Sequence, residues 1–80
     1  MPRIVTFRTK LAIYIYAAPA EHPPPHFHVV GPGTDAVVDL RSLKVLFGRY
    51  PRRPMQEVLA WAAANRHLLE ARRDELNDRE

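Results

Sequence analysis

The chain has 80 residues, 46% of them hydrophobic, no cysteine, and a formal net charge of +3. That length makes one small domain spanning residues 1–80; the apolar content excludes a disordered chain, and the cysteine count excludes disulfides and thiolate metal ligands. No apolar run approaches the roughly 18 residues of a membrane span, and the start lacks an apolar stretch of signal length, so a cytoplasmic protein without membrane contact is expected.

The first 50 residues read as short strands. Arg3–Phe7 is a β-rich run. Leu11–Tyr16 places Leu11, Ile13 and Ile15 on one face and Ala12, Tyr14 and Tyr16 on the other. Both faces are apolar, which suits a central strand. Residues 17–25 hold Pro19 and the triplet Pro23-Pro24-Pro25. Proline donates nothing to a ladder, so this stretch is a stiff loop. His26–Val30 is the third strand, and Gly31-Pro32-Gly33-Thr34-Asp35 is a turn signal. Ala36–Leu40 is the fourth strand, Arg41-Ser42 a tight turn, and Leu43–Phe47 a fifth strand that Gly48 ends. Strands joined by short turns pair most simply as an antiparallel meander.

From Pro51 or Pro54 the period becomes helical. Met55, Val58, Ala62, Leu69 and Leu76 share a stripe that Leu59, Trp61 and Leu68 widen. No Gly or Pro follows Pro54. One uninterrupted helix of about 24 residues would run about 36 Å. A strand of six or seven residues spans only about 20–23 Å, so such a helix outruns the sheet. The predicted fold is α+β: four to five antiparallel strands with one long C-terminal helix on one face. The covered face comprises Leu11, Ile13, Ile15, Phe27, Val29, Ala36, Val38, Leu43, Val45 and Phe47. The other carries Tyr14, Tyr16, His26, His28, Val37, Asp39, Lys44 and Leu46.

The segment His22-Pro23-Pro24-Pro25-His26-Phe27-His28-Val29, preceded by Ile13-Tyr14-Ile15-Tyr16, resembles the bacterial family called domain of unknown function 4160. Pro51-Arg52-Arg53 and Val58-Leu59-Ala60-Trp61-Ala62 resemble it too. That family has no established activity. The resemblance implies a small protein partner, of the type called domain of unknown function 2442, in a two-gene arrangement like a toxin–antitoxin pair. RNA or DNA is a second implied ligand, and self-association a further option.

The residues offer several chemistries. His26 and His28 point to one face about 6.6 Å apart at Cα, a spacing at which two imidazoles can share a metal. His22 would complete a three-histidine set, but an extended proline triplet holds it roughly 12 Å from His26. The same pair, beside Tyr14 or Tyr16 and Lys44, supplies acid–base groups for metal-free RNA cleavage. Equally, His26 and His28 can hydrogen-bond the proline loop and hold it in place. Tyr14 and Tyr16 can stack on bases or cover the sheet. Residues 1–53 carry eight Lys/Arg against three acids. Among them Arg49, Arg52 and Arg53 flank the helix start, where a phosphate or carboxylate is favoured over a cation. The binding set is therefore Tyr14, Tyr16, His22, His26, His28, Lys44, Arg49, Arg52 and Arg53. No cofactor signature is present, and a binding role is favoured over an enzyme and over a purely structural partner subunit.

Overall fold

A computed structural model of the chain describes residues 3–15 and 25–78, the last two through their backbone alone. Five strands form one antiparallel sheet in chain order: β1 (Arg3–Thr6), β2 (Ala12–Tyr14), β3 (His26–Gly31), β4 (Thr34–Asp39) and β5 (Val45–Arg49). Two helices follow, α1 (Arg52–Ala64) and α2 (Arg66–Asp78). The α+β class and the meander stand as expected. Tyr16 and His22 lie outside the described residues, as does most of the proline-rich loop.

The β3–β4 turn is tighter than the five-residue signal. Gly31 and Thr34 pair in the ladder, leaving only Pro32-Gly33 outside it. Gly33 takes a φ of 62°, and the Thr34 hydroxyl donates to the Pro32 carbonyl at 2.9 Å. The β4–β5 turn is longer than Arg41-Ser42. Asp39 Oδ1 accepts the backbone N–H of Arg41 at 2.8 Å and of Ser42 at 2.9 Å. The Asp39 carbonyl accepts the Leu43 N–H at 2.8 Å, and Leu43 adopts a φ of 61°. Those local bonds delay the next strand to Val45 and carry it through Gly48 to Arg49. Gly48 is thus inside β5 and does not end it.

One apolar core unites sheet and helices. Leu11, Ile13, Ile15, Phe27, Val29, Ala36, Val38 and Leu40 meet Met55, Val58, Ala62 and Leu69. Trp61 is half-buried and meets Phe7 edge to face, with ring centroids 6.0 Å apart. Each fully buried large side chain contributes about 1.5–3 kcal/mol of transfer free energy, so this cluster is the main source of stability.

The single long helix is not formed. The chain leaves α1 at Asn65, whose φ of −123° and ψ of 28° are non-helical. The Asn65 side-chain nitrogen donates to the Trp61 carbonyl at 2.9 Å, and its backbone N–H bonds the same carbonyl at 3.0 Å. A short amide side chain that competes for the carbonyl four residues back is a recognised helix-breaking device. The break also resolves the length mismatch. Leu69 is buried and Leu76 packs against the core, so the tail does not simply outrun the sheet. Leu68, expected to widen the apolar stripe, is exposed.

Candidate binding face

The helices cover one face of the sheet, and residue pairing defines what stands on the other. Side chains of directly paired residues lie on the same side. Tyr14 pairs with His28, His28 with Val37, and Val37 with Phe47; at the other end Arg3 pairs with Tyr14. Arg3, Tyr14, His28, Val37 and Phe47 therefore form one row across all five strands, on the side away from the helices. A parallel row holds Thr6, Ala12, Val30, Asp35 and Arg49, and a third pairs His26 with Asp39.

Phe47 was expected in the helix-covered core and is instead 66% exposed. The cause is a β-bulge. Val38 pairs with Val45 and Val37 with Phe47, so Leu46 is one residue more than β4 can match. The extra residue turns Phe47 to the helix-free face, while Leu43 and Val45 stay half-buried against the core. Leu46 is itself 45% exposed. Gly48 follows with a φ of 112°, and a Cβ there would sit 2.2 Å from the Asp35 carbonyl oxygen. The run Val45-Leu46-Phe47-Gly48 contains the signal that period-2 reading passes over: three consecutive apolar residues and then an internal glycine. Arg3 and Phe47 are thus face residues that the sequence reading did not select.

His26 and His28 do share a face, with ring centroids 5.3 Å apart and planes at 62°. His28 is half-buried. Burial holds its pKa below the ordinary 6.5, the nearby His26 adds to that, and Asp35 opposes it. The neutral imidazole is favoured, a form that can accept a proton, bind a metal or stack. Asp39, paired with His26, already spends its carboxylate on the turn. The hydrogen bond from the Ser42 N–H is the chief reason its pKa lies below 3.8. Among the described residues no group of three or more His, Asp or Glu side chains is placed to hold a metal ion. His22, the third member of the three-histidine set, lies outside the described residues.

The cations gather around β5. Lys44 precedes it, Arg49 ends it opposite Asp35, and Arg52 and Arg53 open α1; all four are exposed. Pro51 caps α1 without a side-chain hydrogen bond, and no acid occupies the first turn. Elsewhere, a cleft of about 190 Å³ lies between Pro25, Leu40 and Arg41 of the sheet end and Glu70, Arg73 and Asp74 of α2. Its two cations and two acids balance, so it selects no ligand charge.

A family model described as domain of unknown function (DUF4160) matches residues 11–72. The chain belongs to that family. The DUF4160 match runs from the residue before β2 into α2 and includes the histidine strand, Phe47 and the basic end of β5. It leaves out β1, and with it Arg3. No curated protein and no solved structure matches the chain. Among the described residues no helix is long and apolar enough to cross a membrane.

Proposed function

We propose that the chain is a binding module of a toxin–antitoxin-like gene pair. Its helix-free sheet face and basic β5 end contact a small protein partner. The observation that carries this reading is the exposure of Phe47 in one row with Tyr14, His28 and Val37. A ring turned out of a small core by a bulge forgoes burial, and exposed aromatics in a defined patch are typical of contact surfaces. The charge pattern agrees. The sheet half is basic and the helical third is not, which favours an acidic partner at the sheet.

The test is purification of the chain from its native host, with mass measurement of whatever protein and nucleic acid accompany it. A stoichiometric complex with one small protein, lost on Phe47→Ser, is the expected result. A chain that purifies alone, from host and from co-expression with its neighbouring gene, overturns the reading.

A second reading, metal-free RNA cleavage, draws on the 5.3 Å separation of the His26 and His28 rings. Cleavage of labelled RNA by the chain, abolished in His26→Ala, would establish it. No cleavage alongside a stable complex would leave the module.

A further inference from the structure

The sheet has two edges, and they differ. β1 has four residues; Arg3 and Thr6 are exposed, while Ile4 and Val5 are half-buried. β5 is the other edge, and three large apolar residues on or just after it are exposed: Leu46 at 45%, Phe47 at 66% and Tyr50 at 43%. An edge strand presents backbone N–H and C=O groups that have no ladder partner on its outer side. Such edges are ordinarily blunted by inward charges, proline or a covering element. On β5 the ladder is interrupted by the bulge at Leu46, and the one charged residue within the strand is Arg49 at its end.

The charge along this edge decides the occupant. Lys44, Arg49, Arg52 and Arg53 lie at its two ends, and no acid occurs from Lys44 to Gln56. Any two-fold antiparallel pairing with a second copy sets one cationic end beside the other, which like-charge repulsion disfavours. An acidic segment meets attraction at both ends. A nucleic acid would satisfy the cations and can stack on Phe47 and Tyr50, but it would leave the backbone row of β5 unused.

We propose that β5 is a strand-addition site for an extended, acidic segment of the protein partner that also carries apolar residues. Backbone hydrogen bonds to β5 supply the pairing, as in other strand-addition complexes. Apolar side chains of the segment lie beside Phe47, and acidic ones reach Arg49, Arg52 and Lys44. The broken ladder at Leu46 makes the edge a poor template for indiscriminate pairing, so a segment must match its register. This inference rests on the module reading and specifies the partner's contacting element.

The probe is a displayed library of random twelve-residue peptides, selected on the full chain. Enriched peptides should be acidic and should carry an apolar residue and an acidic residue two positions apart, because Phe47 and Arg49 share a face. A synthetic copy should slow amide hydrogen exchange across Val45–Arg49 by about tenfold or more, as added ladder bonds do. Its affinity should fall about tenfold or more in Phe47→Lys and in the double reversal Arg49→Glu/Arg52→Glu, and stay unchanged in Leu68→Ser. The proposal is overturned by an absence of enriched peptides, by unpatterned or basic ones, or by binding that leaves the β5 amides exchanging freely. It is also overturned if the chain dimerises through β5, or if single-stranded oligonucleotides protect β5 and peptides do not. A native gene-pair complex with no enriched peptide removes this site and leaves the module. Enriched peptides with no native complex remove the gene-pair reading and leave the site.

Discussion

Val37 of β4 stands directly opposite Phe47 of β5, while its neighbour Val38 stands opposite Val45. One residue of β4 is thereby matched by two of β5, and the consequence is an aromatic ring on the face that no helix covers. This single irregularity separates two phenylalanines that the sequence pattern treats alike. Phe27 is fully buried and Phe47 is two-thirds exposed.

Their substitutions should therefore diverge. Phe27→Ala removes a core ring and should cost about 3–5 kcal/mol. Phe47→Ser should change stability by only about 0.5 kcal/mol, as exposed substitutions do. Urea denaturation of the two variants checks this. Equal losses would mean that Phe47 belongs to the core and the bulge does not form.

Gly48 should tolerate no side chain. Its φ of 112° suits glycine, and a Cβ would press on the Asp35 carbonyl oxygen and the Ala36 Cα. Gly48→Ala should cost about 1–3 kcal/mol, the usual range for a strained backbone position. It should also increase proteolysis near β5. A Gly48→Ala protein as stable as the parent would show that β5 runs regularly through this point.

The break at Asn65 predicts a contrast between adjacent leucines. Leu69 is fully buried, and Leu68 is exposed. Leu69→Ala should cost about 2–5 kcal/mol, and Leu68→Ala about 0.5 kcal/mol or less. Thermal melts of both suffice. If Leu68→Ala is the more damaging, α2 is rotated relative to the core and continues α1 without the break.

Much of this fold was legible because period 2 and period 3.6 are strong signals. Leu11, Ile13, Ile15, Phe27, Val29, Ala36 and Val38 alternate faithfully, and all are buried as the alternation requires. The His26/His28 face followed from the same rule. What was lost was lost to short polar groups acting on backbone. The Asp39 carboxylate lengthened one turn, and the Asn65 amide divided one helix. Neither breaks the apolar pattern, so neither is visible in it. The Leu46 bulge was the costly omission for the site. Once it is passed over, strict alternation sends Phe47 to the core and leaves Leu46 on the face.

The last prediction concerns acid. His28 is held below its ordinary pKa of 6.5, first by burial and then by the charge on His26, against the opposing pull of Asp35. Tyr14 and Val37 flank it in the row. The sign follows from proton counting. Below pH 6.5 the unfolded chain takes up a proton at His28 more readily than the folded chain does, so unfolding is favoured as protons are added. Well above pH 6.5 both forms are neutral there, and the contribution is flat. Stability should thus be fully present above about pH 6.5 and should decline as pH falls through and below that value. His28→Gln keeps a polar side chain of similar size without the titration, and should flatten the melting temperature between pH 7.5 and 5. Protonation of His28 adds a positive charge to this face, so contact with an acidic partner should tighten as folding weakens. Melting curves and partner affinity measured across that pH range check both halves. A parent melting temperature that rises on acidification, or a slope that survives His28→Gln, would show that His28 is not the group responsible.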